Sequence, residues 1–393
     1  MLIGLVGKPS VGKSTFFKAA TLAEVEIASY PFTTIKANHG VGYVKVDCID
    51  KEFNVQCNPS HGFCIEHKRF VPVELMDVAG LVKGASEGKG LGNQFLDDLR
   101  NANCFIHIVD ASGTTDSEGK PTTGHNPCED VRFLEDELNA WYFNIFNKVW
   151  KSFARKTEME NLKVSEAIAQ QFSGLKVTEG HVKNALRKVN LSEKISTWKD
   201  DDVKLFVSTL RKISKPMIIA ANKCDHADAE ENIKKMQDEF VDYFIYPCSA
   251  DSELALREAA KNNLIEYIPG DKHYKVKGEL NTKQRQALEK IRINVLDKYS
   301  GTGVQEVLNL AVFDLLKYIA IFPAGANKLG DSKGNILPDC FLLPQGSTAL
   351  DFAFYLHTDF GKNFIKAIDA RTKKALSKGY ILKNRDALEI VTR

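Results

Sequence analysis

Gly7-Lys8-Pro9-Ser10-Val11-Gly12-Lys13-Ser14 is the stretch that decides how the rest of this 393-residue chain is read. It stands between the apolar run Leu2–Val6, which reads as a buried strand, and Ser14–Leu22, which reads as a helix. Strand, glycine-rich turn and helix in that order are the context a phosphate-binding loop requires. The glycines let backbone N–H groups curl around phosphate oxygens, and the positive end of the helix dipole, with Thr15 in its first turn, favours the same anion. Lys13 would then reach the β- and γ-phosphates, and the Ser14 hydroxyl would hold Mg²⁺.

Working outward, Val71–Met76, Cys104–Asp110, Met217–Ala221 and Phe244–Pro247 also read as buried strands. Helical stretches such as Asn93–Asn101 lie between them, the signature of a parallel α/β sheet. From 114 to 205 the pattern turns helical, with amphipathic runs at Glu129–Arg155, Lys163–Gln171 and Glu179–Lys188. That stretch is too long for one crossover, so a helical insertion in the sheet domain is expected. Glu253–Asn262 and Thr282–Lys298 are helical again. The expected organisation is an α/β P-loop domain over 1–270, a helical connection over 271–318 and a small α+β unit over 319–393.

Composition narrows the class. A net charge of +2 is too small for the whole molecule to bind nucleic acid through bulk charge, so any basic face must be local. Eight scattered cysteines with no secretory leader imply reduced thiols, and no apolar run is long enough to span a membrane. A cytoplasmic protein is expected.

Two further loops give the site its specificity. Asp77-Val78-Ala79-Gly80 closes the Val71–Met76 strand. Asp77 can hold a water of the Mg²⁺ shell, and the Gly80 N–H can meet a γ-phosphate, at the strand edge where ligands gather in open α/β sheets. Asn222-Lys223-Cys224-Asp225 follows the Met217–Ala221 strand. Asp225 can accept from both the N1–H and the 2-amino group of guanine, which adenine lacks, so a site built this way rejects adenine. The Lys223 stem would cover the base and Asn222 would tie the loop to the P-loop. Cys248-Ser249-Ala250, after the next strand, suits a last loop whose backbone N–H meets guanine O6, with Ser249 and Ala250 the candidates.

Tyr30-Pro31-Phe32-Thr33-Thr34, with Asn38 and Gly40, resembles the first switch of the Obg superfamily of GTPases. The run from Asp77 to Gly92, DVAGLVKGASEGKGLG, resembles that superfamily's extended second switch, and the chain is most similar to the YchF-related branch of archaeal and fungal type. Phe341–Ala353, FLLPQGSTALDFA, together with Leu356-His357-Thr358-Asp359, looks like a TGS domain, a β-grasp module. The resemblance implies a Mg²⁺-dependent GTPase switch acting on the ribosome or another RNA assembly. It makes Thr34 the switch threonine that ligates Mg²⁺, with Thr33 the competing candidate. Some YchF relatives have lost the lysine and aspartate of the guanine loop and prefer ATP; this chain keeps both. Ser10 stands where Obg-like proteins often carry an asparagine that helps bind potassium, which puts a K⁺ requirement in doubt.

Leu81 occupies the position where many small GTPases place a glutamine that orients the attacking water, so no catalytic residue is assigned and slow intrinsic hydrolysis is expected. A nucleotide-gated scaffold with negligible turnover is the alternative. A metabolic P-loop kinase is disfavoured by the guanine loop. Cys57, His61, Cys64 and His67, with Cys48 nearby, have a spacing that could wrap Zn²⁺, but no paired C-x-x-C knuckle is present and a metal-free polar loop on a hairpin is expected. From Phe322 onward eleven Lys or Arg face seven Asp or Glu. That local basic bias, with the TGS resemblance, points to RNA. Phe352, Phe354 and Tyr355 are expected in the β-grasp core.

Overall fold

The computed structural model describes residues 1–22, 38–78, 99–192, 194–325, 329–330 and 334–393. Thr33, Thr34, Gly80, Leu81 and most of the expected Asn93–Asn101 helix lie outside the described residues.

Two compact units form. Strand β1 (Leu2–Val6) is wholly buried, followed by helix α1 (Lys13–Thr21). Strands β2 (His39–Asp47), β3 (Phe63–Ile65), β4 (Lys68–Asp77), β5 (Cys104–Asp110), β6 (Met217–Asn222) and β7 (Ile245–Pro247) complete a seven-stranded sheet in the order β2-β4-β1-β5-β6-β7, with β3 paired to β4. The pairs β4–β1, β1–β5, β5–β6 and β6–β7 are parallel, so their carboxyl ends open on one edge. Leu5 stands beside Asp77 and Asp110 beside Asn222. This alignment sets the motif loops side by side, because strands paired in register end together.

The insertion is helical, as the sequence predicts, but its breaks differ. The expected Glu129–Arg155 helix is two, α2 (Pro127–Asn147) and α3 (Trp150–Met159). The break turns Trp150 onto Trp198, ring centroids 5.4 Å apart. Helices α4 (Val164–Gln171) and α5 (Glu179–Val189) follow, then α6 (Asp200–Ser214), which the sequence reading did not single out. Helix α6 carries Asp200, Asp201 and Asp202 in its first turn and Arg211 and Lys212 in its last, matching the helix dipole. The insertion's aromatic core, including Phe146 stacked on Phe172, is continuous with Leu2, Val6 and Phe105 of the sheet. That shared core makes the insertion part of the first unit rather than an appended bundle.

The second unit contains Val41–Val73 and Leu308–Arg393. Its five-stranded sheet is built from β8 (Tyr318–Pro323), β9 (Phe341–Pro344), β10 (Phe364–Asp369), β11 (Ala375–Leu376) and β12 (Ala387–Thr392), in the order β9-β8-β12-β10-β11. Helix α7 (Ala349–Leu356) packs on it; the Thr348 hydroxyl accepts from the Asp351 N–H while the Asp351 carboxylate accepts from the Thr348 N–H. Phe352 is in the core, but Phe354 and Tyr355 are 46% and 56% exposed, contrary to expectation. Buried Phe352 and Ala353 mark the helix stripe facing the sheet, which leaves the next two positions toward solvent.

Candidate nucleotide site

The P-loop turns through positive φ at Gly7, Ser10 and Gly12, a region open to glycine and costly for serine. Gly12 has φ +95°, and a Cβ there would lie 2.4 Å from Asn222 Nδ2, so only glycine fits. Ser10 is exposed at φ 63°. Lys13 Nζ donates to the Lys8 carbonyl at 2.8 Å, which parks the ammonium over the loop it serves. Burial lowers its pKa, with the nearby Asp77 charge acting the other way. Ser14 Oγ donates to Asp77 Oδ2 at 2.9 Å. Hydroxyl and carboxylate therefore face one point, a pair of hard oxygen donors of the kind Mg²⁺ selects. Thr15 lies half-buried in the same first turn of α1.

Asn222 is the tie between loops. Its Nδ2 donates to Val11 O at 2.8 Å, and its Oδ1 accepts from the Ala250 N–H at 3.0 Å. One buried amide thus joins the phosphate loop, the guanine loop and the loop after β7. Asp225 accepts from Ser249 Oγ at 2.9 Å, which orients its carboxylate. The Ser249 N–H donates to Thr302 O at 2.8 Å. Both backbone N–H groups expected to meet guanine O6 are therefore engaged, and O6 would have to share or displace one.

Two features escaped the sequence reading. Lys8 does not aim its side chain at phosphate: it is buried, ion-paired with Asp130 at 2.8 Å and bonded to Thr115 O at 2.8 Å. The other is Asp110, fully buried at the end of β5. It accepts from Lys223 Nζ at 2.8 Å, from Thr115 Oγ1 at 2.7 Å and from the Ser112 hydroxyl. Burial opposes its ionised form, but the Lys223 ammonium and the Ser112 and Thr115 hydroxyls outweigh burial and hold its pKa below the ordinary value. The tip of Lys223 is anchored this way, which fixes its stem where a base would lie. An acidic residue closing a strand, followed by Ser112, Thr114 and Thr115, was the available signal.

Comparison with known proteins bears on this constellation. Residues 2–141 match the model of the 50S ribosome-binding GTPase family, 220–325 the Obg-like GTPase YGR210-like G4 motif-containing domain, and 324–392 the TGS domain. An uncharacterized GTP-binding protein of Methanocaldococcus jannaschii is 48% identical over 100% of this chain and 99% of its own. The chain belongs to the YchF-related branch of the Obg-like GTPases. A Schizosaccharomyces pombe relative, also an uncharacterized GTP-binding protein, is 36% identical over 89% of this chain and 88% of its own. The crystal structure of a GTP-binding protein from Pyrococcus horikoshii covers 100% of both chains at 42% identity, with a TM-score of 0.81. Bacterial relatives at 26–29% identity, such as that of Bacillus subtilis, are named ribosome-binding ATPase YchF. P-loop GTPases generally use Mg²⁺, and the Ser14–Asp77 pair of this YchF-related chain fits that ion. Among the described residues, no helix is long and apolar enough to cross a membrane.

In the second unit of this YchF-related protein, the thiol cluster differs from the expected one. His61 pairs with Asp339 at 3.0 Å and His67 with Asp50 at 2.9 Å, and neither joins Cys57 and Cys64. Cys48 and Asp50 do.

Proposed function

We propose that this protein hydrolyses GTP to GDP and phosphate, slowly and with Mg²⁺, and signals its nucleotide state to a ribosome or another RNA assembly through its TGS domain. The observation that carries guanine over adenine is the Asn222–Lys223–Asp225 loop, with Asp225 oriented by Ser249 and Lys223 pinned on Asp110. Gly7 to Thr15 would cradle the phosphates, with Lys13 leaving the Lys8 carbonyl for the β- and γ-oxygens. Ser14, Asp77 through a water, and Thr34 would hold Mg²⁺, which when bound offsets charge on the phosphates. Gly80 would meet the γ-phosphate.

Leu81 supports slow turnover, since an alkyl side chain cannot polarise water; intrinsic rates of glutamine- or arginine-bearing switches are on the order of 10⁻⁴ to 10⁻² s⁻¹, and none faster is expected here. The same residue favours the second reading, a nucleotide-gated scaffold without meaningful turnover. Single-turnover hydrolysis with and without ribosomes separates them. The ATPase name carried by bacterial relatives makes base selectivity the first experiment. Asp225→Asn removes two charge-assisted hydrogen bonds to guanine, at about 1.5–3 kcal/mol each, so GTP affinity should drop by about 10² to 10⁴ while XTP gains. Equal affinity of the unaltered protein for ATP and GTP would refute the guanine assignment.

The RNA contact is supported by exposed Lys362, Lys366, Lys373, Lys374 and Lys378 and by Phe354, Tyr355 and Phe360, also exposed on this module. Exposed lysines and exposed aromatic rings on one module suit phosphate pairing with base stacking. A domain division at 1–270, 271–318 and 319–393 remains the working proposal for truncation experiments.

A further inference from the structure

We propose that the second unit holds a structural Zn²⁺ site made by Cys48, Cys57 and Cys64, with Asp50 as the fourth ligand. The residues come from separate pieces of chain: Cys48 follows β2, Asp50 sits in the helical turn Ile49–Phe53, Cys57 lies in the next loop and Cys64 is on β3. Their ligand atoms nevertheless all lie within 4.8 Å of one another. Cys48 Sγ is 3.6 Å from Cys57 Sγ, and Cys64 Sγ is 3.8 Å from Asp50 Oδ2. A tetrahedral zinc with Zn–S bonds of about 2.3 Å separates its sulfurs by about 3.8 Å. The Cys48–Cys57 separation matches such an edge, and the remaining pairs lie within about an ångström of one, close enough for the four side chains to close on one ion. Three thiols with one carboxylate select a thiophilic d¹⁰ cation over Mg²⁺ or Ca²⁺.

The surroundings are arranged for such a centre. Asp50 is fully buried, and its Oδ1 faces His67 Nδ1 at 2.9 Å, leaving Oδ2 turned to the thiols. A histidine holding the free oxygen of a ligating carboxylate is an outer-shell arrangement that fixes ligand orientation. Three thiolates and a carboxylate around Zn²⁺ carry a net charge of −2. Arg69, fully buried with Nη1 3.6 Å from Cys57 Sγ, offsets one of those charges. Each thiol gives its proton to solvent as it binds, three per zinc. Four protein ligands leave no open position, so the site is structural rather than catalytic.

Its task follows from what the loop grips. The Asn58 N–H donates to Ile336 O at 3.1 Å and the Ser60 N–H to Pro338 O at 2.9 Å. Arg69 donates to Leu337 O at 2.9 Å and Pro338 O at 3.0 Å, and His61 pairs with Asp339. Zinc would lock the loop that straps residues 335–339 in place within this unit.

The test uses the full chain, expressed with zinc in the medium, kept reduced and purified without chelator. Elemental analysis should find about one zinc per chain. Co²⁺ in its place should give thiolate-to-metal charge-transfer and tetrahedral d–d bands. Alkylation mapping should find Cys48, Cys57 and Cys64 protected until the metal is chelated. Cys64→Ser, at the least buried of the three thiols, should lose stoichiometric zinc. His61→Ala should keep it, and His67→Ala should keep it with affinity weakened about 10- to 100-fold. GTP binding by each variant reports that the first unit remains folded, and an unchanged far-ultraviolet circular dichroism spectrum reports the same for the second. A reduced, GTP-binding protein that takes up neither Zn²⁺ nor Co²⁺ overturns the proposal. So does unchanged alkylation of the three thiols with and without metal, a readout that needs no variant. Full zinc in Asp50→Asn with none in His67→Ala would overturn the assignment of the fourth ligand.

Discussion

Replacing Asn222 by alanine should damage phosphate binding as much as base binding. The side chain is 3% exposed and makes two buried bonds, to Val11 O and from the Ala250 N–H. Val11 and Ala250 are themselves buried, so each would keep an unpaired polar group. Leaving one such group unsatisfied costs about 1–3 kcal/mol, which puts the pair at roughly 2–6 kcal/mol. The vacated volume beside Gly12 is close to that of a water molecule, and a water there would hold the loss toward the lower end. At about 2 kcal/mol the effect is still close to 30-fold in an equilibrium constant. If the loops stay docked, the loss appears as a lower urea midpoint without nucleotide. If they separate, it appears as weaker binding. The sum of the two is what the geometry fixes. The assay pairs urea unfolding of the nucleotide-free protein with calorimetric titration of GTP, GDP and inorganic tripolyphosphate. A tether predicts that tripolyphosphate weakens together with GTP. A residue that serves only the base would spare tripolyphosphate. An unchanged urea midpoint, with all three affinities within about threefold of the parent, would refute the reasoning.

Lys13→Ala should weaken GTP at least about tenfold, since a hydrogen bond to a charged group contributes about 1.5–3 kcal/mol, and Ser14→Ala should shrink the difference in GTP affinity measured with Mg²⁺ and with chelator. Thr34→Ala should spare GDP binding and abolish the GTP-dependent conformational change seen by limited proteolysis; the reverse result with Thr33→Ala would move the switch assignment by one residue. His107 on β5 is buried with Nδ1 unpartnered, and burial drops its pKa to about 3. Between about 6.5, the unfolded value, and 3 the unfolded chain binds the extra proton, so stability should fall as pH falls, by at most about 1.4 kcal/mol per pH unit. His107→Gln should flatten that slope in urea midpoints taken at pH 6 and pH 5, and an unaltered slope would assign the acid sensitivity elsewhere. Charge reversal at Lys373 and Lys374 should weaken RNA co-sedimentation and reduce its salt slope by about one log unit for each phosphate that is no longer neutralised, with GTP affinity unchanged; binding that ignores salt, or survives deletion of 319–393, would move the RNA site off this module.

The local motifs were legible in the sequence because each is a short run whose chemistry and conformation are written in adjacent residues. Gly7–Ser14 needs its glycines at fixed offsets, and Asn222–Asp225 needs its amide, ammonium and carboxylate within four positions. Buried parallel strands leave near-continuous apolar runs, so Leu2–Val6 and Cys104–Asp110 are legible to the residue. Helix breaks were less legible: the turn between Asn147 and Trp150 has no proline or glycine to announce it, and only the docking of Trp150 on Trp198 explains it. Pairings between distant side chains could not be read at all. Lys223 finds Asp110 across 113 positions and Lys8 finds Thr115 across 107, which required the register of β5 and β6 and the path of the loop after β5. The thiol cluster shows the same limit at shorter range. Spacing grouped His61 and His67 with Cys57 and Cys64 and set Cys48 only nearby, whereas the β3–β4 hairpin and the turn after β2 brought Cys48 and Asp50 into the cluster and left His61 to Asp339 and His67 to Asp50. Linear spacing counts residues along the chain. Coordination and ion pairing depend on distance through space, which only the folded backbone sets.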